Sequence, residues 1–107
     1  MTIVLNKEEI QKSIIISNES LKAIEEAFDL LSKGHAVTPP IMRLDLNDKN
    51  GEVDVKTAYI KGLDSFAIKI SPGFFNNPKL GLPTTSGMMI LLDTKAFLNI
   101  KLFVFTF

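Results

Sequence analysis

Three cations recur in successive stretches that alternate apolar and polar residues: Arg43 in IMRLDL, Lys56 in VDVKTAY and Lys69 in FAIKIS. The period of two marks each stretch as a strand with one polar face. Met42, Leu44 and Leu46 oppose Ile41, Arg43 and Asp45; Val53, Val55, Thr57 and Tyr59 oppose Asp54, Lys56 and Ala58; Phe66, Ile68 and Ile70 oppose Ala67, Lys69 and Ser71. In an antiparallel sheet the three cations would project from one side, and such a face attracts a small anion such as an amino-acid carboxylate. Arg43 is the sole arginine and follows Pro39 and Pro40, so a planar fork suited to bidentate carboxylate binding stands beside a rigid entry. The competing assignment makes the lysines solvent-facing groups that protect strand edges.

Other chemistry finds little support. His35, the single histidine, directly follows Gly34 and has no nucleophile or metal-ligand partner in the sequence. No cysteine is present, which excludes thiolate metal sites, disulfides and cysteine nucleophiles and permits a reducing cytoplasm. No GxGxxG or Walker pattern occurs, so a phosphate cradle is not expected. Phe74 and Phe75 read as packing residues, because the basic groove that would accompany a stacking platform is missing.

The elements that must position these cations follow from the same patterns. Residues 2–5 are a short apolar run, and Asn6 can cap a brief helix over KEEIQKSI. Ser17 or Asn18 can cap a longer helix with Leu21, Ile24, Phe28 and Leu31 on one face, ended by Gly34 at C′. Its polar face pairs Lys22 with Glu26 and Asp29 with Lys33 at i,i+4, a solvated arrangement. NDKNG is a hairpin turn between the first two cation-bearing strands. SPGFFNNPKLGLPTTSG, with three prolines and three glycines, predicts an ordered loop. GMMILLD predicts a strand buried on both sides, with the methionines in the core. The fold class expected is α+β, with N-terminal helices packed on a mostly antiparallel sheet.

Composition is consistent with one compact domain. The 107 residues are 46% hydrophobic and 22% charged with zero formal net charge, which points to neither disorder nor nucleic-acid binding. No stretch reaches the roughly 18 apolar residues of a membrane span, and the charged Lys7, Glu8 and Glu9 rule against a signal peptide. Neither nucleic-acid nor membrane partners are expected, and the location expected is cytoplasmic.

The segments AFDLLSKGHAVTPPIMRLDL and GEVDVKTAYIKGLDSFAIKISPGFFNNPKLGLPTTSGMMILLD resemble the N-terminal part of the ornithine cyclodeaminase/mu-crystallin family, its ectoine-utilisation branch in particular. The resemblance runs over about residues 2–95 and rests on PPxxR, the FAIK strand and SPGFF-NPKLGLP. It implies a substrate-binding and dimerisation domain that family members follow with a Rossmann domain binding NAD or NADP. Its members oxidise or reduce a C–N bond, by amino-acid cyclodeamination or cyclic ketimine reduction. Arg43 matches the arginine that grips the substrate carboxylate, and Lys69 the catalytic lysine beside the reacting carbon. Lys56 falls on the same face, and Thr84 and Met88 belong to the segment lining the same pocket. The partners implied are a small amino or imino acid and a second copy of the chain.

The sequence also departs from the family. Where ornithine-using members carry a glutamate near the substrate amine, the nearest residue here is Asp54. Neither a dinucleotide fingerprint nor the second domain's catalytic aspartate is found, so no cofactor is expected to bind this chain alone and the isolated chain is expected to be inactive. Residues 96–107 read as a divergent apolar tail, set apart from a 1–95 domain and compatible with truncation or a shifted frame; their exposed strand would be a pairing risk. The alternative function is a non-catalytic module that dimerises through its sheet.

Overall fold

The computed structural model describes residues 1–13, 15–95 and 99–106. Strand β1 (Thr2–Leu5) leads into helix α1 (Lys7–Ser13), where the Asn6 side chain accepts from the Glu9 amide at 2.9 Å and Glu9 answers to the Asn6 amide. Ile14, at the end of the expected first helix, lies outside the described residues. Helix α2 (Asn18–Ser32) opens with a capping box between Ser17 and Ser20. It closes at Gly34, whose φ of +75° lets the Gly34 and His35 amides turn back to the carbonyls of Leu31 and Leu30.

The remaining elements are strands: β2 (Ala36–Val37), β3 (Met42–Leu46), β4 (Gly51–Ile60), β5 (Ser65–Phe74), β6 (Ser86–Asp93) and β7 (Ile100–Thr106). They form one sheet in the order β1-β7-β6-β5-β4, with β2 and β3 both on the outer edge of β4. All pairings are antiparallel except β1 with β7, which is parallel. The chain is therefore α+β, two helices packed on a mostly antiparallel sheet. The β3–β4 turn is a single 3-10 turn over Asn47–Lys49 followed by Asn50 at φ 50°, the left-handed conformation that asparagine tolerates.

Three expectations need correction. SPGF is not loop: β5 continues through Pro72 to Phe74 and pairs with β4 down to Gly51. Proline is tolerated there because the β6 ladder ends at Ile70, leaving this part of β5 with β4 alone on its ladder apart from a bridge from Gly73 to Thr85. The loop beyond is ordered, as expected, by a 3-10 turn over Asn77–Leu80, Gly81 at φ +73° and a bond from the Phe75 amide to the Asn50 carbonyl. Second, the strand expected to be exposed within the divergent apolar tail of residues 96–107 is, over residues 100–106, an interior strand between β1 and β6; residues 96–98 and 107 lie outside the described residues. Third, β6 is central in the sheet, yet its apolar side chains are half-buried.

That half-burial is general. The register puts Met42, Leu44, Val53, Val55, Phe66, Ile68, Ile70, Met88, Ile90, Leu92, Ile100, Leu102 and Val104 on one apolar face. Its edge residues Val4, Met42 and Leu44 are 58, 63 and 56% exposed, and among the described residues no hydrophobic side chain is buried. The surface area is 8107 Å², against roughly 5,900 Å² for a compact monomer of this mass. The radius of gyration is 15.9 Å, against about 13 Å for a compact chain of this length. Helix α2 lies over the opposite face, where it borders a groove with Ala36, Ala58 and Ile60, while α1 packs against β7.

Candidate functional site

The opposite face carries the three cations. Arg43 pairs with Asp54 across β3–β4, Lys56 lies two residues further along β4, and Lys69 is the direct cross-strand partner of Lys56. Met89 continues this row on β6, and Phe103 on β7. Two ammonium-bearing chains thus start from Cα atoms about 5 Å apart, with apolar residues beyond.

A cleft of about 400 Å³ opens over this row, lined by Lys56, Thr57, Ala58, Ala67, Lys69 and Met89 and walled by Thr38, Pro39 and Ile41. The wall comes from the chain between β2 and β3, where the two prolines stiffen the crossing. Lys69 also borders a second, more polar cleft of about 250 Å³ that includes Glu52, Asp54, Ser71, Thr85 and Ser86. Both lysines are exposed.

Arg43 sits on the same face but lines neither cleft. Its Nε donates to Asp45 Oδ1 at 3.1 Å and its Nη2 to Glu52 Oε2, so its fork is already occupied by carboxylates of the same sheet. Met88 does not join Lys69. It pairs with Ile70 and Val104 on the apolar face, and Met89 takes the position beside Lys69. Thr84 likewise lines neither cleft; its carbonyl accepts from the Phe74 amide, and Thr85 borders the polar cleft instead. A run of apolar residues such as MMILL has no alternation from which to read parity; pairing with β5 sets it. Thr38, Pro39 and Ile41 could have been recognised from the Pro-Pro entry that delivers the chain to Arg43.

Among the described residues no group of three or more metal-ligating side chains is present. A dinucleotide is not fitted by these residues either. The left-handed glycines Gly34, Gly62 and Gly81 stand singly in separate turns, without the strand–glycine-rich turn–helix that cradles a pyrophosphate.

The profile of the ornithine cyclodeaminase/mu-crystallin family matches residues 1–103. The chain belongs to that family. An uncharacterised cyclodeaminase of Sinorhizobium fredii is 54% identical over 93 residues, 86% of this chain and 28% of the relative. The chain thus corresponds to the N-terminal part of the family and spans just over a quarter of that relative's length. An archaeal alanine dehydrogenase, solved as a dimer with bound NAD, superposes with a TM-score of 0.83 at 29% identity, covering 96% of this chain and 31% of that one. The Thermococcus litoralis Δ1-pyrroline-2-carboxylate reductase, solved with NADH and L-proline, gives a TM-score of 0.86 at 24% identity over 95% of this chain and 31% of the other; it shares the fold. The family match includes most of β7, in line with that strand's place inside the sheet.

Proposed function

We propose that this chain is the part of an NAD(P)-dependent amino-acid dehydrogenase, ketimine reductase or cyclodeaminase that binds the carboxylate of an amino or imino acid, acting in the cytoplasm. The carrying observation is the direct opposition of Lys56 and Lys69 at the floor of a cleft that is otherwise mostly apolar. An anion there relieves the repulsion between two like charges, and the apolar walls weaken the competition from water. Lys69, shared by both clefts, is the residue that would stand beside the reacting carbon and hold a proton near the imine nitrogen. Met89 and Thr85, rather than Met88 and Thr84, line the site. Arg43 contributes by exchanging Asp45 and Glu52 for the substrate carboxylate.

A nicotinamide cofactor would supply hydride transfer at carbon. The contribution of this chain is to bind and orient. Calorimetric titration of the folded chain with L-proline and with NADH tests this reading. Binding of L-proline that disappears in Lys69→Met, with no heat from NADH, is the result expected. A folded chain that takes up no amino or imino acid would sink it.

The uncovered apolar face favours a second, compatible role as a pairing module. The excess of roughly 2,000 Å² over a compact monomer falls in the range that permanent interfaces bury. A second copy laid face to face over Ile68, Ile90 and Leu102 would cover it as two sheets pack in a sandwich.

A further inference from the structure

The cation cleft does not end at Ala58. Helix α2 holds Ile24, Ala27, Phe28 and Leu31 over Ala36 and Ile60, leaving a groove of about 210 Å³ between helix and sheet. Thr38 and Ala58 line both this groove and the lysine cleft, so the two hollows share a wall and form one trough. One end is doubly cationic. The other has no charged side chain in its lining, and Ile24 and Phe28 there are 54 and 68% exposed.

We infer that the trough selects carboxylates bearing an extended apolar substituent, with the carboxylate at Lys56 and Lys69 and the alkyl or aryl chain directed along Ala58 toward Ile24 and Phe28. This rests on the carboxylate-binding reading above and specifies its substrate class. A terminal ammonium, as in a diamino acid, would lose water in the groove and find no carboxylate there to accept from it. An apolar chain gains instead. Each methylene that leaves water raises affinity by roughly three- to fourfold.

The test is a titration of the isotopically labelled chain with n-alkanoates of two to eight carbons, read from backbone amide shifts near Lys69 and Phe28. Affinity should climb by about threefold per methylene once the chain passes Ala58, with the shifts near Phe28 appearing only for the longer acids. Phe28→Ser should flatten that climb while leaving binding of the shortest acids intact, and circular dichroism checks that the variant keeps its fold. Ala58→Leu, which thickens the shared wall from the sheet side, should likewise flatten the climb without touching the helix. Length-independent affinity that still requires Lys69 would overturn this inference and leave the carboxylate-binding reading standing. No binding of any alkanoate would overturn both. A climb that survives Phe28→Ser, Ala58→Leu and Lys69→Met would place the acids on the open sheet face and likewise overturn the inference.

Discussion

Lys56 and Lys69 are direct partners across the antiparallel β4–β5 ladder, both on the face that α2 partly covers. Like charges directly opposed cost a sheet stability, and no acidic side chain is ion-paired with either lysine among the described residues. An unneutralised pair of this kind is what a carboxylate site requires. Replacing either lysine with methionine should therefore stabilise the chain by roughly 0.2–1 kcal/mol while weakening L-proline binding at least tenfold. Chemical denaturation and calorimetry on the same samples check both signs. A variant that is both less stable and binding-competent would count against the assignment.

Arg43 poses the opposite case, since it is neutralised from within. Asp45 and Glu52 are themselves cross-strand partners and hold the guanidinium from two sides. Glu52→Gln should free one side of the fork and strengthen carboxylate binding two- to tenfold, whereas Arg43→Lys, which loses the fork geometry, should weaken it. Equal affinities in wild type, Glu52→Gln and Arg43→Ala would remove Arg43 from the site.

The apolar sheet face predicts self-association. Ile90 lies on β6 between Ile68 and Leu102, at the centre of that face. Ile90→Lys puts a charge where a second copy would pack, at a cost of several kcal/mol to the assembly. Sedimentation should show a dimer for the wild type and a shift to monomer for Ile90→Lys, whereas Lys61→Glu, in the exposed turn after β4, should leave the dimer intact. A wild-type chain that stays monomeric at high micromolar concentration would refute the pairing.

How much of this could be read from the residues alone differs from element to element. The strands around Arg43, Lys56 and Lys69 alternate cleanly, so their faces were legible, and both helices announce themselves through Asn6, Ser17 and Gly34. The grip on Arg43 was legible in principle, because counting back from Asn50-Gly51 brings Asp45 opposite Glu52. Parity along MMILL was not, since every residue there is apolar. Nor was β7, whose place depends on a parallel pairing with β1, nearly a hundred residues earlier, which no local pattern encodes. Pro72 misled because a proline in a strand is excluded only where its amide is needed for a ladder, and the end of the β6 ladder is a fact of topology.

A last prediction concerns the turn that leads out of β6. Asp93 accepts from the Lys95 amide at 2.7 Å and from Asn99 Nδ2 at 3.2 Å, while the Asp93 amide donates to the Asn99 carbonyl. The Lys95 amide first, then the Asn99 side chain, hold the Asp93 carboxyl below its ordinary value of 3.8. A carboxylate whose affinity for protons is lower in the folded state stabilises the fold above its unfolded value, and that contribution is lost as pH falls through the folded value. In this window the unfolded chain binds more protons, so acid favours unfolding. Asp93→Asn should lower stability at neutral pH and show a shallower acid-unfolding curve than wild type below about pH 4. It should also weaken β7 pairing, seen as faster amide exchange at Ile100 and Leu102. Superimposable acid curves for the two proteins would show that the Asp93 carboxylate does not hold this turn.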